Sequence, residues 1–283
     1  MSADTVSVNR SHGGTQHVVR HRSDATGTDM TFSVFVPPQA DDGTKVPVVW
    51  YLSGLTCTHA NVTEKGEYRR VCAELGLIFV APDTSPRGEG VPGDPEGGWD
   101  FGLGAGFYLD AIRAPFDQHY RMDSYVTEEL PTLVADIFPA DLRRQGMMGH
   151  SMGGHGALTI ALRNPSRFRS VSAFAPIAAP SRIALGQKAL GGYLGPDQAA
   201  WRRHDAVALI EDGARLDALL VDQGDVDEFL PNLAPDALKA ACEAAGIPLE
   251  HHMRQGYDHG YYFISTFMED HLRWHFARLT NKT

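Results

Sequence analysis

The sequence predicts an α/β fold, in which a mostly parallel central sheet carries helices on both faces. Continuous apolar runs such as residues 46–52 and 77–81 suit strands that are covered on both sides. Segments with helical periodicity, among them residues 152–163 and 261–279, lie along the same chain. Buried strands that alternate with helices form largely parallel sheets, and such sheets bind ligands at the carboxyl ends of their strands.

The first 28 residues are polar and rich in Ser, Thr, His and Gly. We expect residues 1–28 to form a loosely ordered segment. Residues 30–37 alternate apolar and polar side chains, which predicts a strand, and the run 46–52 predicts the next. A helix is predicted over residues 64–75, with Gly76 ending it. The following apolar run predicts a second buried strand.

The stretch 84–106 is dense in Gly, Pro and Asp and predicts a long loop, and such loops are often functional. A helix is predicted over residues 125–138, with Pro131 either beginning or kinking it. A short strand at residues 145–150 runs into a Gly-rich turn, and the helix 152–163 follows.

The rest of the chain continues the alternation of strands and helices. The last helix carries aromatic and aliphatic residues at the spacing of core packing. No internal repeat, low-complexity segment or linker divides the chain, so we expect one domain over residues 1–283. The remaining predicted strands cover residues 170–175, 218–221 and 249–253, and the remaining helices cover residues 235–245 and 261–279.

Composition narrows the classes of function. The formal net charge of −10 disfavours nucleic acids and anionic membranes, whose phosphates need clustered Lys and Arg. The three cysteines, Cys57, Cys72 and Cys242, form no C-x-x-C pair, which favours free thiols in a reducing compartment. No secretory signal and no apolar run long enough to cross a membrane appears, so we expect a cytoplasmic protein.

The strongest local signal is the G-x-S-x-G sequence of residues 149–153, with Ser151 at its centre. Apolar residues precede it and a helix-forming segment follows, as in a nucleophile elbow, where the serine occupies a sharp turn from strand to helix. Gly is used on both sides because bulkier side chains would collide there. This context predicts the α/β-hydrolase fold, with Ser151 as the nucleophile at a helix N-terminus that favours negative charge.

A serine nucleophile needs a base, and the base needs an orienting carboxylate. In this fold the chain order is Ser, then Asp or Glu, then His. His259 lies in a Gly-bounded loop between the last strand and the last helix, where a triad base belongs. The other histidines that follow the serine at a distance fall in predicted strands or helices or away from this loop: His204, His251, His252, His271 and His275.

The acid is expected after an earlier strand, where the segment 219–229 supplies three aspartates. Asp222 is nearest the strand and suits a turn cap. Asp225 and Asp227 lie further into the loop. Spacing alone leaves the choice among them open.

Several long segments of the chain resemble the S-formylglutathione hydrolase family, also called esterase D. They are rich in rare residues and extend through nearly the whole chain apart from its N-terminal segment, so the resemblance is far more specific than the elbow motif. The matching segments are residues 51–58 (YLSGLTCT), 81–88 (APDTSPRG), 104–111 (GAGFYLDA), 125–131 (YVTEELP), 149–158 (GHSMGGHGAL) and 257–263 (YDHGYYF).

The resemblance implies an activity and a set of site residues. The family hydrolyses S-formylglutathione to glutathione and formate in formaldehyde detoxification, and it also cleaves small activated esters. By resemblance the catalytic residues are Ser151, Asp227 and His259. The backbone N–H groups of Leu55 and Met152 would form the oxyanion hole. Further residues expected near the site are Gly54, Cys57, His150 and Trp99.

Gly260 departs from the family pattern, which usually has Ser at this position. The substitution puts substrate preference and rate in question more than the reaction itself. The resemblance implies no cofactor, and the histidines form no H-E-x-x-H or comparable zinc-binding pattern. S-formylglutathione is the expected small-molecule partner, and a homodimer is expected because family members are commonly dimers.

Two alternatives remain open from the sequence. The same site would serve a general short-chain carboxylesterase or an acyltransferase. A hydrolase-fold protein that only binds a ligand or partner is the alternative of another class, although such proteins often lose a triad residue and this chain keeps all three types in order.

Overall fold

A computed structural model describes residues 3–281, and its centre is a nine-stranded sheet. The strands are β1 (Ala3–Ser11), β2 (Gly14–Arg22), β3 (Asp29–Val36), β4 (Val46–Leu52), β5 (Ile78–Pro82), β6 (Ala140–His150), β7 (Ser170–Phe174), β8 (Leu219–Gly224) and β9 (Leu249–Arg254). Their order across the sheet is β1-β2-β3-β5-β4-β6-β7-β8-β9. The pairs β1-β2, β2-β3 and β3-β5 are antiparallel. The pairs β5-β4, β4-β6, β6-β7, β7-β8 and β8-β9 are parallel.

Helices cover both faces of the sheet, as the sequence predicts. The α-helical segments are α1 (His59–Lys65), α2 (Arg69–Leu75), α3 (Met122–Ser124), α4 (Leu130–Ile137), α5 (Met152–Arg163), α6 (Ala184–Leu194), α7 (Gln198–Trp201), α8 (Ala206–Glu211), α9 (Pro235–Ala245) and α10 (Tyr261–Thr280). Helices α6, α7 and α8 lie in a region to which the sequence analysis assigned no element.

The expectation of a loosely ordered segment over residues 1–28 is wrong for the described part of that segment. Strands β1 and β2 form a hairpin through His12 and Gly13, both with positive φ, and β2 pairs along its length with β3. The hairpin lies at the edge of the sheet, where β1 is largely exposed. Polar composition is what an exposed antiparallel edge requires, so it does not indicate disorder here. Residues 1 and 2 lie outside the described residues.

Two predicted helices differ in detail from the structure. The helix expected over residues 64–75 is two helices, α1 and α2, because the chain turns between them at Glu67, which has a φ of 52°. Gly76 ends α2 with a φ of 75°, as predicted. The helix expected over 125–138 begins with a π-helical turn, Tyr125–Glu129, and Pro131 follows this turn as the second residue of α4.

The parallel part of the sheet positions the candidate site. Its strands point their carboxyl ends to one edge, where β4 leads to Gly54, β6 leads to Ser151 and β8 leads to Asp227. The loop between β9 and α10 brings His259 to the same edge. The prediction that the motifs gather at this edge is therefore confirmed.

Candidate active site

Ser151 occupies the tight turn between β6 and α5, with φ 57° and ψ −118°. A Cβ atom on Gly153 would lie 1.9 Å from the carbonyl oxygen of Leu52, and one on Gly149 would lie 2.2 Å from the carbonyl oxygen of Gly153. Neither position has room for a side chain, which explains both glycines of the motif. The Ser151 N–H donates to the Phe174 carbonyl at 2.9 Å, so the strained turn is anchored to β7.

This backbone strain has a measurable consequence. A non-glycine residue at such dihedral angles costs about 1–3 kcal/mol, and glycine relieves most of that cost. We therefore expect Ser151→Gly to be about 1 kcal/mol more stable than Ser151→Ala in urea unfolding. Both variants lack the hydroxyl, so the comparison isolates the backbone. A Gly variant that is no more stable than the Ala variant would show that the turn stores no strain.

Asp227 and His259 form a direct pair. The His259 Nδ1 lies 2.6 Å from Asp227 Oδ2. The same carboxylate accepts the Gln223 Nε2 at 2.8 Å and the Phe229 N–H at 2.7 Å. Burial opposes ionisation of Asp227, but hydrogen bonds, foremost that from His259, outweigh it and lower the pKa of this carboxyl. An ionised carboxylate at Nδ1 fixes the imidazole tautomer whose Nε2 can accept a proton.

The other two aspartates of the segment have different partners. Asp222 is fully buried and accepts hydrogen bonds from His252 Nδ1 at 2.8 Å and Arg254 Nε at 2.6 Å. Burial opposes its ionisation, but the nearby His271, with Nε2 3.8 Å from Oδ1, and the hydrogen bonds from Arg254 and His252 lower its pKa to about 2. Asp225 accepts the Gly256 N–H at 2.7 Å and caps the loop after β9. Of the three candidates, only Asp227 contacts His259.

Asp222 is therefore expected to act on stability. Asp222 is buried but its partners Arg254 and His252 are partly exposed, so losing the hydrogen bonds to its charge typically costs about 1.5–3 kcal/mol. We expect Asp222→Asn to lower the free energy of unfolding by about that amount at pH 7 in urea titrations. The loss should shrink as the pH falls from about 4 towards 2, where the wild-type carboxyl itself becomes protonated. Asp225→Asn, at an exposed cap, is the control and should cost less than about 1 kcal/mol.

The imidazole of His259 is held between two other rings. His150 lies 4.5 Å away between ring centroids, and Phe229 lies 4.9 Å away. Burial lowers the pKa of His150 well below its ordinary value, so this neighbour stays neutral. A neutral ring beside His259 does not repel the positive charge that His259 acquires when it accepts a proton.

Ser151 and His259 line the same cavity, which has a volume of about 200 Å³. The cavity lies between the Ser151 turn and the loop after β9. Among residues 3–281, the side chain of His259 is hydrogen-bonded to Asp227 and not to Ser151. Its other lining residues are Gly54, Leu55, Thr56, Cys57, Trp99, His150, Ile177, Leu185, Phe229, Asn232 and Leu233.

Two backbone N–H groups beside Ser151 can donate hydrogen bonds to a negatively charged oxygen. Met152 is the first residue of α5, so its N–H has no helical acceptor. Leu55 follows Gly54, whose added Cβ would lie 3.2 Å from the Ser151 Cβ, so this loop passes directly against the nucleophile turn. Neither N–H donates a hydrogen bond to any of the described residues. Together they suit an oxyanion hole.

Cys57 and Trp99 also lie where the sequence analysis expected them, in the wall of the cavity. Cys57 is half-buried, and burial raises the pKa of its thiol, so a neutral thiol in the cavity wall is the better description than a reactive thiolate. Gly260 has extended backbone and its N–H donates to Asp258 Oδ1 at 2.8 Å. Its φ of −87° is open to any residue, so the loop does not need glycine there.

Several site residues were not identified from the sequence. Gln223 and Phe229 contact the Asp227–His259 pair and flank Asp227 in the same segment, so proximity to the candidate acid was their only signal. The apolar wall residues Ile177 and Leu185 lie in the region without a predicted element and gave no signal. Among residues 3–281, no group of three or more His, Cys, Asp or Glu side chains is arranged to hold a metal ion.

Comparisons with known proteins agree with this geometry. The family model described as "Putative esterase" matches residues 23–274. An S-formylglutathione hydrolase of Paracoccus denitrificans (strain Pd 1222) is 54% identical over 279 residues, which cover 99% of each chain. A mouse (Mus musculus) S-formylglutathione hydrolase is 50% identical and covers 97% of this chain and 98% of its own.

The chain belongs to the S-formylglutathione hydrolase family. A solved structure of a family member from Agrobacterium tumefaciens has a TM-score of 0.95 and 57% identity, covering 98% of this chain and 99% of that one. The α/β-hydrolase fold and the family resemblance predicted from the sequence are confirmed. No helix among the described residues is long and apolar enough to cross a membrane.

Proposed function

We propose that this chain is a serine hydrolase that cleaves the thioester S-formylglutathione to glutathione and formate. The observation that carries the proposal is the Asp227–His259 pair beside Ser151 at one cavity, in a chain whose relatives at about half identity are named for this reaction. Ser151 is the nucleophile, His259 the base and Asp227 the orienting acid.

In the acylation step, the Ser151 Oγ attacks the formyl carbon while His259 Nε2 accepts the hydroxyl proton. Asp227 holds the imidazole by Nδ1 and stabilises its charged form. The backbone N–H groups of Leu55 and Met152 donate to the oxyanion, with each donor worth about 3 kcal/mol in such sites. The C–S bond then breaks as His259 Nε2 returns the proton to the departing sulfur, so glutathione leaves as the thiol and the base is neutral again.

In the deacylation step, a water molecule attacks the formyl ester on Ser151. His259 accepts a proton from the water and returns it to the Ser151 oxygen as the C–O bond breaks. Formate leaves and the free serine is restored. Each proton that His259 accepts is returned within the same half-reaction, so the cycle needs no cofactor.

The experiment compares kcat/KM for S-formylglutathione with kcat/KM for short aryl esters such as 4-nitrophenyl acetate. We expect a preference for the thioester. A marked preference for the aryl esters would favour the short-chain esterase function instead. A folded protein that hydrolyses neither would favour the binding protein.

The cytoplasmic location and the homodimer remain part of this proposal. The three cysteines are unpaired, which is compatible with a reducing compartment. Light scattering coupled to size exclusion would report the mass of the particle, and a value near twice 30.9 kDa is expected. A mass near that of one chain would overturn the dimer.

A further inference from the structure

Trp99 stands at the outer end of the cavity. It lines the wall, yet 53% of its surface is exposed, which is unusual for so large an apolar side chain. Its ring packs edge-on against Phe229, with 6.5 Å between centroids, and Phe229 in turn contacts His259. The exposed indole is therefore connected to the catalytic base through one intervening ring.

A three-residue ion-pair cluster holds the loop that carries Trp99. The Nζ of Lys188, on α6, lies 2.7 Å from Asp94 Oδ2 and 2.5 Å from Asp100 Oδ1. The side chain of Asp94 is almost fully covered, although the residue as a whole is half-buried, and it also accepts the Gly98 N–H at 3.2 Å. A Cβ on Gly98 would lie 2.4 Å from Asp94 Oδ2 and 2.8 Å from Lys188 Nζ, so the loop is closed tightly around the cluster.

The outer and inner parts of the cavity differ in chemistry. The outer part, formed by Thr56, Trp99 and Asn232, is exposed, and within residues 3–281 the side chains of Thr56 and Asn232 make no hydrogen bond. An aromatic face with a hydroxyl and a carboxamide beside it suits the amide groups of a peptide. The inner part is apolar, with Ile177 and Leu233 in its wall.

We propose that Thr56, Trp99 and Asn232 form the subsite for the peptide part of the thiol leaving group. Trp99 is the specificity-determining residue, and Lys188 is a positioning residue that acts through the loop. The inference rests on the proposed function, because it assigns the remainder of that substrate. Lys188 also offsets one of the two aspartate charges beside the subsite, which lessens the repulsion of an anionic peptide.

The test compares two formyl thioesters that share the reacting group, S-formylglutathione and S-formyl-2-mercaptoethanol. Trp99→Ala should raise KM for S-formylglutathione about 10-fold with little change in kcat, because binding remote from the reacting bond is lost. KM for the small thioester should change less than about 2-fold. Tyr262→Ala is the matched control, because Tyr262 is an aromatic residue 88% exposed outside the cavity.

The Lys188 variants test the positioning role. Lys188→Met should raise KM for S-formylglutathione and leave KM for the small thioester nearly unchanged. Lys188→Arg keeps the positive charge and should have a KM for S-formylglutathione close to that of the wild type. Lys239→Met, at an exposed lysine elsewhere, is the control and should change neither KM. Equal rises in KM for both thioesters would show a merely structural role for the loop and overturn the proposal. No change in KM with either Trp99→Ala or Lys188→Met would also overturn it.

A binding measurement separates this inference from the proposed reaction. S-methylglutathione, which has no acyl group to cleave, should bind the wild type in calorimetry and bind Trp99→Ala about 10-fold more weakly. Binding that depends on Trp99, in a protein that turns over neither thioester, would support the subsite and contradict the proposed reaction. Turnover of both thioesters, together with S-methylglutathione binding that Trp99→Ala leaves unchanged, would support the proposed reaction and contradict the subsite.

Discussion

Ser151→Ala is expected to lower kcat for S-formylglutathione by about 10⁴–10⁶-fold, with KM changed far less. The reason is that the hydroxyl is the only group of the elbow that can form the acyl bond. The residual rate reflects the backbone donors of Leu55 and Met152 and the binding of the substrate, which the substitution leaves in place. Stopped assays at high enzyme concentration, which detect slow turnover, would measure it.

The control for this variant is its fold. Ala fits the turn at Ser151 no worse than Ser does, because neither is glycine, so circular dichroism and urea unfolding should match the wild type closely. A folded Ser151→Ala protein that retains more than a few per cent of wild-type kcat would mean that another group attacks the thioester.

Asp227→Asn is expected to lower kcat by about 10⁴-fold. An amide at this position can present its N–H₂ to His259 Nδ1 and so favour the wrong tautomer, with the proton on Nε2. The charge that stabilises the imidazolium is also lost. The measurement is kcat for both the thioester and an aryl ester, which should fall together because the base serves both.

Asp225→Asn and Asp222→Asn are the matched controls within the same segment. Asp225 caps a loop and should change kcat less than about 3-fold. Asp222 should change the free energy of unfolding and leave kcat of the folded protein within the same limit. A loss of kcat from Asp225→Asn as large as that from Asp227→Asn would reject the assignment of the acid.

Local sequence patterns were sufficient for the parallel core. The run 46–52 is strand β4, residues 152–163 are helix α5 and residues 235–245 are helix α9, with the predicted bounds. Strand β4 and helix α5 are buried on nearly every side, and α9 begins at Pro235 and ends before Gly246. The prediction of a loosely ordered segment over residues 1–28 was wrong because an exposed edge hairpin and a loose polar segment have similar compositions.

The site was predictable where chemistry restricts the residue type. The glycines around Ser151 are needed because an added Cβ atom would lie within 2.5 Å of backbone oxygens, and the loop position of His259 follows from the order of the triad. Spacing could not choose among Asp222, Asp225 and Asp227, because the choice depends on where each side chain points. The family resemblance named Asp227, and the structure brings that residue to His259.

The contacts of Trp99 and Lys188 were beyond sequence analysis for a different reason. Lys188 is 88 residues from Asp100 and 94 residues from Asp94 along the chain. Helix α6, which carries Lys188, was not predicted from the sequence. A long loop has no periodicity from which its path could be read. Trp99 was expected near the site by resemblance alone, with no indication of what holds it there.

Covalent labelling with a fluorophosphonate, followed by peptide mass mapping, tests most directly whether Ser151 is an activated nucleophile. The reagent should add one phosphonyl group per chain, on the Ser151 hydroxyl. The rate should fall at least about 10³-fold in His259→Ala, since the base is missing. Labelling of another residue, or a folded wild-type protein that takes up no label, would contradict the triad.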